Sequence, residues 1–162
     1  MYNATVITVS DKGSAGLRED TAGPMVKGIL EEFGYKVGEV IIIPDELQLI
    51  KETLINNCND NTKLVVTTGG TGFSKRDVTP EATIDVCERM TPGIPEAMRA
   101  ESLKITNRAV LSRAVAGIRG ETLIINLPGS PKAAKENLLS VIDAVEHGLD
   151  ILTGNNGECA VK

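Results

Sequence analysis

The chain has 162 residues, 41% of them hydrophobic and 24% charged, and its formal net charge is −5. These values are typical of one globular domain and exclude disorder, and no apolar run is long enough to cross a membrane. Aromatic residues make up only 2% of the chain, so a nucleic-acid partner is not expected, because base stacking needs aromatic side chains and phosphates attract basic surfaces.

Short apolar runs alternate with segments of helical spacing along the whole chain. The apolar runs predict strands at residues 4–9, 37–43, 63–68 and 122–127. Helices are predicted to begin near Pro24, Asp45, Thr79, Pro95 and Pro131. Strands that alternate with helices indicate a parallel sheet with helices on both faces. We expect one domain over residues 1–152, followed by a polar tail over residues 153–162.

Local signals mark several helix ends. Gly34 is a plausible stop for the first long helix. Asp45 and Gln48 have the spacing of a capping box, which predicts that Asp45 caps the helix that follows. Thr79 is predicted to cap the next helix, with Pro80 in its first position.

A run of small residues, Thr-Thr-Gly-Gly-Thr-Gly at residues 67–72, follows the third predicted strand. Glycines in this position let consecutive backbone N–H groups turn toward one anion. The run lacks the Gly-Lys-Ser/Thr end of a P-loop, and Lys75 stands where the dinucleotide fingerprint needs its third glycine. On its own, the run is equally consistent with a tight turn.

Two carboxylates are predicted at the same edge of the sheet as this run. Asp77 lies just after it, and Asp45 follows the second predicted strand. Magnesium bound together with phosphates usually takes one or two carboxylates, so both are candidate ligands. The alternative for each is a structural role at a helix start. Asp11 and Asp20, in the loop after the first strand, are further candidates.

Other candidates for catalysis are few. The single histidine, His147, falls within the last predicted helix, and no Gly-x-Ser-x-Gly motif occurs, so a Ser-His-Asp hydrolase is not expected. The three cysteines are an odd number without a Cys-x-x-Cys pair, which indicates neither a disulfide framework nor a zinc site. Cys58 and Cys87 fall in helical patterns, and Cys159 has no activating neighbour. The chain start does not resemble a signal peptide, so we expect a cytoplasmic protein.

Several motifs, in order along the chain, resemble the Mog and MoaB family of molybdenum-cofactor biosynthesis proteins. They cover most of the chain, from Thr5 to about Leu149, and lie at residues 10–11, 20–24, 44–46, 68–83, 101–106, 111–113, 116–120 and 127–131. The resemblance implies a three-layer α/β/α sandwich with a mostly parallel sheet. It also implies a molybdopterin adenylyltransferase, which transfers AMP from ATP to the terminal phosphate of molybdopterin and requires Mg²⁺. The family assembles as homotrimers or as larger oligomers, including dimers of trimers.

The resemblance also assigns roles to residues. Asp45 and Asp77 match the paired functional aspartates, and they are therefore assigned as catalytic residues and Mg²⁺ ligands. Ser112 matches a serine of the pterin site, whereas Ser130 replaces an asparagine found in some members. The implied substrate-binding residues are Ser10, Asp11, Gly69, Gly70, Thr71, Gly72, Ser74, Ser112, Arg113, Pro128, Gly129, Ser130 and Pro131.

Two alternatives to the transferase remain. A non-catalytic molybdopterin-binding or carrier protein would keep the pocket without turnover. A nucleotide hydrolase could use the same loops, but it would need a positioned water and usually a base, and the sequence offers no distinctive one. For assembly, the sequence gives one physical hint, which is that apolar residues lie between prolines in residues 92–98.

Overall fold

The computed structural model describes residues 1–59 and 61–155. Cys159 and most of the tail predicted over residues 153–162 lie outside the described residues. Within those residues, no helix combines the length and the apolar composition that a membrane crossing requires.

Strands and helices alternate along most of the chain. The strands are β1 (Asn3–Val9), β2 (Lys36–Val37), β3 (Ile41–Ile43), β4 (Thr62–Thr68), β5 (Arg89–Met90), β6 (Ala116–Arg119) and β7 (Thr122–Leu127). The helices are α1 (Asp11–Ser14), α2 (Ala22–Glu32), α3 (Leu47–Asn57), α4 (Thr79–Val86), α5 (Gly93–Leu103) and α6 (Pro131–Leu152), with a 3₁₀ helix at Asn107–Leu111.

The strands form one sheet in the order β2-β1-β4-β7-β6-β5, and β3 also pairs with β1. The pairs that join β1, β2, β3, β4 and β7 are parallel. The pairs β6–β7 and β5–β6 are antiparallel. The mostly parallel α/β fold predicted from the sequence is therefore confirmed.

Helices cover both faces of the sheet because side chains alternate along each strand. On β4, Leu64 and Val66 pack with α2, α5 and α6, whereas Val65 points to the other face. That second face packs against α3 and α4 through residues such as Ile50 and Ala82. Burial on both faces explains why the central strands are continuous apolar runs.

The prediction of one strand over residues 37–43 was wrong in its extent. Residues 37–43 do not form one strand, since β2 and β3 are separate and flank residues 38–40. The antiparallel edge was not predicted at all, because β5 has only two residues, both exposed. In β6, Gly117 interrupts the apolar pattern, and a Cβ there would lie 2.7 Å from Cys87 Sγ.

The register brings four loops to one edge of the sheet. Val9 pairs with Ile43, Thr8 with Thr68, and Thr68 with Leu127. The carboxyl ends of β1, β3, β4 and β7 therefore lie side by side. The chain runs from β1 to β2 and β3 on one side of it, and then crosses back to β4 on the other side. Such a switch in strand order is where open parallel sheets bind ligands.

Candidate active site

The glycine run after β4 is a tight loop that only glycine can form. Gly69 and Gly70 have φ values of +90° and +68°, a left-handed conformation that other residues rarely adopt. A Cβ on Gly69 would collide with the carbonyl oxygen of Val9, and one on Gly70 would collide with Oγ1 of Thr79. The same Gly70 position lies 3.1 Å from Oδ1 of Asp45. The loop thus passes directly over the carboxylate of Asp45.

Asp45 does not cap α3, so the predicted capping box is wrong. The N-cap is Glu46, whose side chain makes no capping bond. Instead, Oδ2 of Asp45 accepts a hydrogen bond from the backbone N–H of Asp11 at 2.8 Å. The backbone N–H of Asp45 donates in return to Oδ1 of Asp11 at 3.0 Å. This exchange fixes the loop after β3 against the loop after β1.

Arg76 links the loop between β4 and α4 to Asp11. Its Nε and Nη2 donate to the two carboxylate oxygens of Asp11 at 3.0 and 2.9 Å. The Arg76 hydrogen bond is the main cause that lowers the pKa of Asp11, and the backbone N–H of Asp45 adds to it. Asp11 therefore stays ionised and serves as a structural link between loops.

Asp77 lies beside the glycine loop. Its Oδ2 accepts a hydrogen bond from the backbone N–H of Ser74 at 3.1 Å, and a Cβ on Gly72 would lie 2.9 Å from that oxygen. The helix start is shifted by one residue from the prediction, because Val78 is the N-cap, Thr79 is the first residue of α4 and Pro80 follows it. No side chain caps α4.

Asp45 and Asp77 form an acidic pair that is only partly compensated. Burial is the main cause that raises the pKa of Asp45, the Asp11 N–H lowers it, and the charges of Asp11 and Asp77 raise it again. A divalent cation would offset that repulsion. Among the described residues, no group of three or more His, Cys, Asp or Glu side chains can hold a metal. Two carboxylates suit a hard divalent cation that takes its remaining ligands from phosphate and water.

The carboxylates of Asp45 and Asp77 line a cavity of about 400 Å³ at the strand ends, which we call the aspartate cavity. Its lining residues come from the ends of β1 and β4, from α1, from the starts of α2 and α6, and from the loops between these elements: Thr8, Val9, Ser10, Gly13, Arg18, Glu19, Asp20, Thr21, Ala22, Asp45, Thr68, Gly69, Gly70, Asp77, Gly129, Ser130 and Pro131. Asp20 accepts from the Thr8 hydroxyl at 2.7 Å and from the Gly23 N–H at 3.0 Å. Asp20 thereby holds the start of α2 at the cavity wall.

A second cavity of about 300 Å³, which we call the Ser112 cavity, lies on the other side of the glycine loop. It is lined by Thr71, Gly72, Arg99, Ser102, Thr106, Arg108, Ala109, Leu111, Ser112, Pro128, Ala133, Glu136 and Asn137. Gly70 lines the aspartate cavity and Thr71 lines this one. Consecutive residues of one loop therefore separate the two cavities.

Arg113 holds that dividing loop in place. Its Nε donates to the carbonyl of Gly72 at 2.7 Å and its Nη2 donates to the carbonyl of Asp77 at 2.6 Å. Nη1 binds the carboxylate of Glu81, and the backbone N–H of Arg113 donates to the carbonyl of Thr71 at 2.9 Å. The guanidinium thus links both ends of residues 72–77 to α4.

The structure separates the substrate-binding residues that the resemblance implied into three groups. Ser10, Gly69, Gly70, Gly129, Ser130 and Pro131 line the aspartate cavity. Thr71, Gly72, Ser112 and Pro128 line the Ser112 cavity. Asp11, Ser74 and Arg113 line neither cavity, but they hydrogen-bond to the residues that do.

Sequence reasoning missed charged residues that line the cavities. Arg18 and Glu19 were passed over within a polar loop, and Arg99 and Glu136 look like ordinary surface residues of helices. Arg99 donates to the carbonyl of Ala114 at 2.8 Å. The fold, not a local motif, brings α5 and α6 together there, so no sequence signal could have identified these positions.

The remaining reactive side chains lie outside both cavities. His147 is exposed on α6, 16 residues beyond Pro131, which corresponds to about 24 Å along the helix. Burial raises the pKa of Cys58 to about 11 and that of Cys87 to about 12. Both cysteines are therefore protonated thiols at neutral pH and poor nucleophiles.

Together, the fold and the site define an α/β protein with a glycine loop and two aspartates, Asp45 and Asp77, at the carboxyl ends of its parallel strands. Residues 5–147 match the family described as the probable molybdopterin binding domain, and the chain belongs to that family.

The chain is similar over most of its length to named relatives. It is 46% identical over 153 residues to a molybdopterin adenylyltransferase of Helicobacter pylori, covering 93% of this chain and 87% of that protein. It is 41% identical over 152 residues to the molybdopterin adenylyltransferase of Escherichia coli K12, covering 89% of this chain and 77% of that protein. The crystal structure of the molybdopterin biosynthesis enzyme MoaB from Thermus thermophilus aligns with this chain with a TM-score of 0.88 at 43% sequence identity. The alignment covers 95% of this chain and 98% of that structure.

Proposed function

We propose that this chain is a molybdopterin adenylyltransferase, which transfers AMP from ATP to the terminal phosphate of molybdopterin with the help of Mg²⁺. The observation that carries the proposal is the pair of cavities that meet at one glycine loop, with Asp45 and Asp77 on one side of it. A transferase that joins two large substrates needs two adjoining sites, whereas a carrier or a hydrolase needs only one.

The two cavities differ in ways that suit the two substrates. Asp45 and Asp77 line the aspartate cavity, and hard cations that accompany nucleotide phosphates take carboxylate ligands. Apolar residues such as Leu111, Pro128 and Ala133 line the Ser112 cavity, and they suit the faces of a flat ring. We therefore assign ATP to the aspartate cavity and the pterin to the Ser112 cavity.

The proposed reaction is a nucleophilic substitution at the α-phosphorus of ATP, which transfers the adenylyl group. An oxygen of the pterin phosphate bonds to the α-phosphorus, the bond between that phosphorus and the bridging oxygen of the β-phosphate breaks, and pyrophosphate leaves with the electron pair. The attacking phosphate oxygen is already ionised at neutral pH, so no general base is required. The protein has to align the two phosphates and offset their charge.

Asp45 and Asp77 are the residues proposed to hold Mg²⁺, which would supply charge neutralisation to the triphosphate. The backbone N–H groups of the glycine loop are proposed to bind phosphate oxygens at the boundary between the cavities. Arg113 acts indirectly, because its hydrogen bonds to Gly72 and Asp77 fix the loop on which these donors lie.

A homotrimer, or a dimer of trimers, remains part of the proposal, as does a cytoplasmic location. The hint drawn from residues 92–98 gives no support, since Met98 is only 1% exposed and packs in the core of its own domain. Exposed apolar side chains instead occur at Leu103, Ile105 and Val110. Sedimentation equilibrium at micromolar concentration tests the oligomer, and a single species of monomer mass would contradict it.

One assay separates the three candidate functions. The chain is incubated with molybdopterin, ATP and Mg²⁺, and the products are identified by mass spectrometry. Adenylylated molybdopterin together with pyrophosphate supports the transferase. Binding of molybdopterin without any product indicates a carrier, and release of phosphate from ATP without an adenylylated pterin indicates a hydrolase.

A further inference from the structure

The Ser112 cavity contains one charged acceptor whose role is not explained by the fold. Among the described residues that line the cavity, Glu136 is the only carboxylate. Its side chain is 27% exposed, so it is partly withdrawn from solvent. It lies on α6, within the second turn after Pro131, and therefore on a rigid element.

The one ion pair of Glu136 within the described residues is weak. Its partner is Lys132, four residues earlier on the same helix, at 3.9 Å, and the Lys132 side chain is 79% exposed. Exposed pairs of this kind contribute little to stability. A structural role as a helical salt bridge thus accounts poorly for a carboxylate that faces a cavity, and both of its oxygens remain available to a ligand.

We infer that Glu136 is a specificity-determining residue that recognises the pyrimidine edge of the pterin ring; this inference rests on the proposed function. A 2-amino-4-oxo-pteridine presents two parallel donors on one edge, the ring N3–H and an N–H of the 2-amino group. A carboxylate accepts such a pair through its two oxygens in the bidentate arrangement that gives both strength and geometric selectivity.

The charge of Glu136 also sets the direction in which the substrate lies. A carboxylate repels a phosphate, so the phosphate end of the substrate must point away from Glu136. In the same cavity, Thr71 and Gly72 belong to the loop that borders the aspartate cavity. With the ring edge at Glu136, the terminal phosphate is directed toward this loop, where the adenylyl group has to arrive.

The test compares two ligands that differ mainly at the recognised edge. The probes are 6-hydroxymethylpterin and 6-hydroxymethyllumazine, in which a carbonyl replaces the 2-amino group. Binding is followed by the fluorescence of the probes, and the chain contains no tryptophan that would interfere. We expect the wild-type chain to prefer the pterin by about 10- to 100-fold, the range for a hydrogen bond to a charged group.

Glu136→Gln should reduce this preference to less than about threefold, because an amide presents a donor where the carboxylate had an acceptor. Asp143→Asn is the matched control, since it removes an exposed carboxylate from the same helix. Lys132→Ala should leave the preference intact, because it removes only the weak partner. Melting temperatures of all variants show whether a loss reflects unfolding.

The outcomes separate this inference from the proposed function. A Glu136→Gln variant that keeps the wild-type preference would overturn the inference, as would a wild-type chain that binds neither probe or both equally. If that wild-type chain still adenylylates molybdopterin, only the role of Glu136 fails. If, instead, the wild-type chain discriminates between the probes through Glu136 but forms no adenylylated product, the inference about Glu136 stands and the transferase proposal fails.

Discussion

The two cavities on either side of the glycine loop are built in different ways. The aspartate cavity is formed mainly by loops that directly follow parallel strands, so the register of β1, β3, β4 and β7 fixes its walls. The Ser112 cavity is formed mainly by α5, the 3₁₀ helix and the first turns of α6. One depends on sheet geometry, and the other on how helices pack beyond the sheet.

This difference predicts how the two sites respond to mutation. Changes in the aspartate cavity should alter the use of ATP and metal, whereas changes in the Ser112 cavity should alter only the pterin. The loop between them is shared, and it is held by Arg113. A change at Arg113 should therefore affect both substrates, and the following variants test this separation.

Asp77→Asn is expected to have the largest effect. The amide keeps the size of the side chain and can still accept from the Ser74 N–H, but it removes a charge from the proposed metal site. We expect turnover to fall about 1,000-fold, because several kcal/mol of charge stabilisation would be lost. Pterin affinity should not change. Asp85→Asn, which removes an exposed carboxylate from α4, is the control. Normal turnover in Asp77→Asn would mean that Asp77 has only a structural role.

Asp45→Asn should lower turnover by roughly 100-fold or more, for the same reason. Its melting temperature should stay equal to that of the wild type or rise slightly, because burial and two nearby acids disfavour the ionised form and raise its pKa. The amide can still accept from the Asp11 N–H, so the link between the loops is kept. Measurement of turnover against Mg²⁺ concentration, with Glu52→Gln as control, checks this; an unchanged magnesium dependence would contradict it.

Arg113→Lys tests the shared loop. A lysine cannot reproduce the fork that binds Gly72, Asp77 and Glu81 together. We expect turnover to fall about 10- to 100-fold, since small displacements of aligned groups cost that much, and the KM values for both substrates to rise. Arg89→Lys, at an exposed position of β5, is the control. An effect on the pterin alone would mean that Arg113 binds that substrate directly.

The sequence predicted the aspartate cavity better than the Ser112 cavity for a physical reason. Loops after parallel strands must meet at one edge, so Asp45, Asp77 and the glycines could be grouped without any knowledge of packing. The prediction that Asp45 caps α3 was wrong because the chain stays extended through Glu46, whose φ and ψ are −120° and 119°. That single residue moves the carboxylate off the helix end and toward Asp11.

The Ser112 cavity could not be assembled from local patterns. Ser112 was identified only by resemblance, and Glu136 was not identified at all, because a charged residue on an amphipathic helix is usually a solvated one. Arg113 was grouped with the substrate-binding residues, whereas its contacts within the chain are those of a residue that positions the loop. These roles depend on contacts between residues that are far apart in sequence, such as Gly72 and Arg113.

Ser112→Ala should give the smallest effect and the clearest separation of the cavities. Loss of one hydrogen bond between neutral groups costs about 0.5–1.5 kcal/mol, so pterin binding should weaken about 2- to 10-fold. Part of that loss is structural, because Oγ of Ser112 accepts from the Ala114 N–H at 3.3 Å. The KM for ATP should remain unchanged, since the cavity assigned to ATP lies across the loop. Steady-state kinetics with each substrate varied in turn measure this, with Ser140→Ala on the exposed face of α6 as control. A rise in the KM for ATP alone would reverse the assignment of the two cavities.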